Sequence, residues 1–345
     1  MTALHPALVF LGGLAVVVLG AELLLKSATR IAHMLRISPI VIGLTVVAIG
    51  TSLPELAVGI TAAAEGKGAL AVGNVAGANI MVLLLVLGLS AAIQPLPTQP
   101  YSLRLEVPAM IGAALALIIM SIDGVLTRTE GALLVLAAVF YTALIVQSSR
   151  RDRRLVADEF LEEYAEPLPP LAERRQQFIR QGLLLAVSIT LTIYGAELLV
   201  DGASALAARF GVSDAVIGLT IVALGTSSPE LVTTVVATLR GERDVAIGNL
   251  LGSAVYNILA ILGTVMLVSP RAIDVSRELL FIDLPVAAAV AMVCLPVFRS
   301  GHMITRTEGL GFVAAYFSYM ALLLLTRVCV STAVVSAVGP RFRQD

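Results

Sequence analysis

Two carboxylates stand where an apolar chain tolerates them least. Glu55 closes the run Gly43-Leu-Thr-Val-Val-Ala-Ile-Gly-Thr-Ser-Leu-Pro-Glu55, and Glu230 closes Gly218-Leu-Thr-Ile-Val-Ala-Leu-Gly-Thr-Ser-Ser-Pro-Glu230, ungapped and 175 residues later. Thr51 and Ser52 lie four and three residues before Glu55, a spacing that puts them on one helix face, and Thr226 and Ser227 repeat it before Glu230. Pro54 carries no N–H, so the carbonyl of Gly50 loses its helical donor and the ring pushes that turn open. Broken backbone at membrane depth is tolerated only where it packs in protein or lines a wet cavity. A glutamate there costs on the order of a few kcal/mol unless it is partnered. If the two broken segments cross, two carboxylates meet among hydroxyls and freed carbonyls. Hard oxygen donors of this kind suit calcium and, with fewer ligands, sodium. His5, His33 and His302 sit near helix ends and form no cluster, which disfavours metals that prefer imidazole.

Each motif is followed by a glycine-asparagine segment, Gly73-Asn-Val-Ala-Gly-Ala-Asn-Ile-Met-Val82 and Gly248-Asn-Leu-Leu-Gly-Ser-Ala-Val-Tyr-Asn257. The glycines allow close helix approach. In the second copy Ser253 and Asn257 lie one turn apart and could complete a coordination shell. In the first copy the same places hold Ala78 and Val82, which offer no side-chain oxygen, and Asn79 lies about 100° round the helix from Ala78.

The elements that carry these residues are membrane helices. The chain has 345 residues, 58% hydrophobic and 14% charged, with a mean hydropathy of +0.95; soluble proteins carry about 25% charge. Apolar runs of spanning length (about 20 residues) fall near 6–35, 39–64, 68–93, 105–122, 130–148, 178–208, 214–239, 244–268, 279–297 and 303–326. The first is read as a retained helix, not a cleaved signal, because no Lys or Arg precedes it and it belongs to the repeat. The 175-residue offset also matches Gly20-Ala-Glu22 with Gly195-Ala-Glu197 and Gly66 with Gly241, and Thr127-Arg-Thr-Glu-Gly131 returns as Thr305-Arg-Thr-Glu-Gly309. Five spans per copy is odd, so the second copy enters from the opposite side. The expected fold is all-α: ten transmembrane helices in two inverted five-helix repeats, with helices 2 and 7 broken at a central ion site. The expected division is 1–148 first repeat, 149–177 linker, 178–326 second repeat and 327–345 tail.

Positive charge sets the orientation. Arg150, Arg151, Arg153, Arg154, Arg174 and Arg175 crowd the central connection, which places it in the cytoplasm and both termini outside a cell (inner or plasma) membrane. That connection also holds Asp158, Glu159, Glu162, Glu163 and Glu166, but it lacks the spacing and glycine of a helix-loop-helix calcium site and reads as a solvated linker. Cys294 and Cys329 have no metal-ligand spacing. Glu22 and Glu197 lie far along long helices without a break motif and read as interfacial or helix-end groups. No nucleophile–base pair supports an enzyme, and nothing calls for a nucleic acid, an obligatory protein partner or a cofactor; the partners are inorganic cations and the bilayer.

The paired Gly-Thr-Ser-x-Pro-Glu segments, each followed by Gly-Asn-x-x-Gly, resemble the two α-repeats of the cation/calcium exchanger family, in its sodium/calcium branch. The Asp123–Gly131 turn resembles that family too, and the likeness spans nearly the whole chain. The resemblance implies an alternating-access antiporter that binds calcium between Glu55 and Glu230. It implies Thr51 and Thr226 as backbone ligands, and Ser52, Ser227, Ser253, Asn257 and the carbonyls of Ala48 and Ala223 as sodium ligands. Where the family has a hydroxyl and an amide on helix 3, this chain has Ala78 and Val82; where it often has an aspartate on helix 8, this chain has Asn257. The alternatives are a calcium/proton antiporter using the same glutamates and, in another class, a cation channel.

Overall fold

The computed structural model describes residues 5–35, 37–97, 105–151, 171–210, 223–299 and 303–338. Its helices are α1 Pro6–Leu35, α2 Pro39–Ala64, α3 Gly68–Ile93, α4 Glu106–Met120, α5 Arg128–Arg151, α6 Leu171–Arg209, α7 Ser228–Leu239, α8 Arg243–Val268, α9 Leu279–Arg299 and α10 Arg306–Val338. A single turn, Ala223–Gly225, precedes α7; the expected start of that span at 214 lies outside the described residues, as does most of the acidic linker. Among the described residues seven helices are long and apolar enough to cross a membrane, and α4 is a shorter apolar one. The protein is thus an all-helical, multi-pass membrane protein.

The termini of these helices follow from local chemistry. Pro39 opens α2, where a missing N–H costs nothing. The sharp α2–α3 and α7–α8 turns pass through Gly66 (φ +75°) and Gly241 (φ +81°), a left-handed backbone that needs glycine. In front of α5 and α10 the repeated Thr-Arg-Thr-Glu closes a reciprocal cap. The Thr127 hydroxyl donates to Glu130 Oε2 at 2.7 Å and Thr305 does the same to Glu308 at 2.7 Å. The arginines then reach across the chain, Arg128 to the carbonyl of Ser269 and Arg306 to that of Ile93.

Four two-residue strands fasten the two copies together. Leu96–Pro97 (β1) pairs antiparallel with Met303–Ile304 (β4), and Val125–Leu126 (β2) with Ile273–Asp274 (β3). They define two ends of the bundle. The first has the starts of α2, α8 and α10 and the finish of α7; the second has the finishes of α2 and α8 and the starts of α3, α5 and α9. Helix α8 sits at the centre, with residues 245–259 all buried. Helices α1 and α6 lie against each other through small residues: a Cβ added at Gly20 would meet Thr192 Oγ1 at 2.6 Å, and one at Gly195 would run into the backbone of Val17.

Candidate ion-binding site

Ser52 interrupts α2 with φ −87° and ψ 8°, one residue before the turn that Pro54 enters. Ser227 stands at the matching place before α7 with φ −90° and ψ 11°. The two motifs lie face to face. Ser52 Oγ donates to Glu230 Oε1 at 2.9 Å, and Ser227 Oγ donates to Glu55 Oε1 at 2.8 Å. Each carboxylate is therefore held by the hydroxyl of the other copy. Glu55 is 0% and Glu230 1% exposed. Among the described residues their second oxygens, both Oε2, are buried with no hydrogen-bond partner, and so are Ser253 Oγ and Asn257 Oδ1. An unpartnered buried oxygen is costly. Carboxylate, hydroxyl and amide oxygens are hard donors, the kind that a desolvated hard cation takes as ligands. Gly252, beside Ser253, is packed so tightly on α2 that a Cβ there would lie 2.7 Å from Ala48 Cβ.

The remaining anticipated residues divide. Thr51 Oγ1 lies 3.1 Å from the carbonyl of Val47 and 3.2 Å from Asn249 Oδ1, so α8 anchors its turn. Thr226 Oγ1 lies 3.4 Å from Asn74 Oδ1, the matching contact of the other copy. The Ala48 carbonyl already accepts from the Ser52 amide at 3.2 Å and lies 3.3 Å from Thr51 Oγ1, so only part of its acceptor capacity faces elsewhere. Ala223 opens the turn before α7. Tyr256 packs: it is 1% exposed, its hydroxyl is 2.7 Å from Thr142 Oγ1, and its ring meets Tyr141 edge to face.

Three supporting residues escape a reading of the sequence by ligand type. Asn74 and Asn249 hold the two threonines, and their repetition at the 175-residue offset was the available signal. Asn79, displaced from the Ala78 face, is 4% exposed and hydrogen-bonded to α8. A π-helical turn follows it at Val82 in α3, and another starts at Asn257 in α8. Such turns carry one extra residue and shift the face presented beyond them.

The two copies differ in enclosure. A cavity of about 600 Å³ is lined by Gly73, Asn74, Gly77, Thr226, Asp283 and Tyr319, among others. Thr226 and Asn74 are half-buried beside it, while Thr51 and Asn249 are each 1% exposed.

Comparison with known proteins adds three findings. The family model described as sodium/calcium exchanger protein matches residues 5–147 and 181–325. The putative antiporter CaxA of Alkalimonas amylolytica is 37% identical over 313 residues, covering 90% of this chain and 96% of that one; the sodium/calcium exchanger MaX1 of Methanosarcina acetivorans is 31% identical over 343 residues, covering 92% and 97%. Among solved structures, the sodium-calcium exchanger NCX_Mj soaked with 10 mM Na+ and zero Ca2+ superposes with a TM-score of 0.77 at 28% identity, covering 92% of this chain and 98% of that one.

Proposed function

The chain belongs to the sodium/calcium exchanger protein family, and from that premise we propose that it exchanges calcium for sodium across the cell membrane by alternating access. The observation that carries this reading is the reciprocal pair of serine–glutamate hydrogen bonds, which leaves one oxygen of each buried carboxylate without a donor. Calcium and sodium are the transported substrates, and no cofactor takes part. Glu55 and Glu230 bind both ions. Ser52, Ser227, Ser253 and Asn257 contribute oxygens, and the Thr51, Thr226, Ala48 and Ala223 backbones line the site. The two carboxylates carry a charge that one calcium or two sodium ions neutralise. Neutralisation lets the site change access, and each ion shifts the equilibrium only by its differential affinity for the two states.

The finer architecture belongs to the same proposal. Two five-helix halves, 1–148 and 178–326, enter the membrane from opposite sides; α2 finishes at the second end of the bundle and α7 at the first, in keeping with that inversion. The arginine-rich connection faces the cytoplasm. The cavity beside Thr226 then belongs to the outer face, and the site opens outward.

Calcium flux into proteoliposomes tests the reading. Sodium on the opposite side drives it, and replacing sodium by choline abolishes it. Glu55→Gln and Glu230→Gln each lower flux by at least about a hundredfold, since an uncompensated charge in a dry site costs several kcal/mol. Flux within twofold of wild type in either variant sinks the assignment of the glutamates. Flux indifferent to sodium but driven by a proton gradient replaces the coupling ion.

A further inference from the structure

At the places where α8 carries Ser253 and Asn257, α3 carries Ala78 and Val82, yet α3 still reaches the site. Asn79 Nδ2 donates to the carbonyl of Ala254 at 3.0 Å, and Asn79 Oδ1 accepts from Asn257 Nδ2 at 3.2 Å. The first bond decides the second. A carbonyl can only accept, so the nitrogen end of the Asn79 amide must face Ala254, and its oxygen is then turned to Asn257. That oxygen in turn selects the nitrogen of Asn257. What is left over is Asn257 Oδ1, on a side chain 0% exposed, with no hydrogen-bond partner. Turned the other way, Asn257 would present an NH2 group, which repels a cation.

We infer that Asn79 is a positioning residue: it locks the Asn257 amide so that its oxygen, not its nitrogen, is offered to the transported cation. The inference rests on the exchange reading above. It also explains how a site can lose both side-chain oxygens of α3 and keep a contribution from that helix. Ala254 stands 175 residues after Asn79, where a strict repeat would put a second asparagine. The alanine supplies a bare carbonyl in place of a competing amide, so the orientation is determined in one sense only. Both amides border the π-helical turns that begin at Val82 and Asn257.

A double-mutant cycle on the full chain in proteoliposomes tests this. Asn79→Leu keeps the volume and removes both hydrogen-bonding ends. It should raise the sodium concentration for half-maximal calcium flux about tenfold, the worth of one hydrogen bond to a charged ligand, and leave the maximal rate within about twofold. Asn257→Leu should raise it at least as much. The double variant should match Asn257→Leu alone, because Asn79 acts only through Asn257. A merely structural Asn79 would lower the maximal rate and add its effect in both backgrounds. Additive effects, or a wild-type sodium dependence in Asn79→Leu, overturn the inference. Should Asn79→Leu fail to fold, Asn79→Ala runs the same cycle with the same two outcomes. Wild-type protein without sodium-dependent calcium flux overturns the exchange reading itself; normal wild-type flux with an additive cycle overturns this inference alone.

Discussion

The glycine faces of α3 and α8 are alike in sequence and, among the described residues, unlike in packing. On α8, a Cβ added at Gly248 would lie 2.5 Å from the carbonyl oxygen of Ile40, and one at Gly252 would lie 2.5 Å from that of Leu44. The first half of α2 is thus pressed backbone to backbone against α8, and this end is sealed. On α3, the Cβ of a residue at Gly77 would have nothing within 4 Å among the described residues, Gly77 is exposed, and the cavity begins there; residues 215 and 219, which stand 175 residues after Ile40 and Leu44, lie outside the described residues. An ion pair marks the same difference. Glu22 of α1 bonds Arg240, just past α7, at the sealed end. The positions 175 residues away are Glu197 and Glu65, two acids, and Glu65 turns instead to Lys67 at 2.8 Å, whose ammonium holds that carboxyl below its usual range. A duplicated sequence has become asymmetric: at one end the pair Glu22–Arg240 joins two helices, and at the other Glu65 pairs within its own turn.

The comparison breaks in a definite order. The largest effect falls where the two copies are still equivalent. Ser52→Ala and Ser227→Ala each remove a hydrogen bond to a carboxylate, about 1.5–3 kcal/mol, and should weaken calcium dependence of flux by matching factors of roughly ten to a hundred. A tenfold disparity between the two variants would mean that the site is not shared evenly. Next come the glycines. Gly248→Val and Gly252→Val should destabilise the protein by about 1–3 kcal/mol through overpacking, read as a lowered Tm in detergent, while Gly77→Val leaves Tm unchanged. Equal losses at all three positions would show that α3 is packed as tightly as α8. The smallest effect belongs to the exposed ion pair. A cysteine at Gly77, with Cys294 and Cys329 replaced by alanine, should react with an impermeant thiol reagent added to intact cells. Arg240→Gln should slow that reaction up to about fivefold, because an exposed pair is worth about 0–1 kcal/mol. A faster reaction in that variant would show that Glu22–Arg240 does not hold this end shut.

Much of this was readable because each relevant feature is local. The span boundaries at 39–64 and 68–93 coincide with α2 and α3, since proline and a left-handed glycine fix helix ends within a residue or two. Glu55, Ser52 and their second copies declared themselves as polar groups in apolar surroundings. The partners of those groups were not local. That Ser52 bonds Glu230, and not its own Glu55, depends on how two distant segments pack. Asn79 lies round the helix from Ala78, and nothing in the sequence announces the π-helical turn beside it. Small steric exclusions were equally hidden. Asn249 Nδ2 donates to Thr234 Oγ1 at 3.0 Å, but the matching Asn74 Nδ2 has no partner among the described residues, because Gly59 stands where Thr234 would be. A Cβ at Gly59 would sit 2.6 Å from Val265 Cγ2, so no threonine fits there.

The crossed serine–glutamate bonds also have a consequence in time. Glu55 is made 172 residues before Ser227, the hydroxyl that holds it. At about 5–20 residues per second, synthesis of that interval takes roughly 10–35 seconds. Throughout it, the first half of the chain carries a carboxyl whose partner does not yet exist. Glu55 must therefore enter the bilayer protonated, or wait at its surface, until the second half arrives. Maturation of the site is a late event in biosynthesis, because the Ser227–Glu55 bond forms only once the second half of the chain exists.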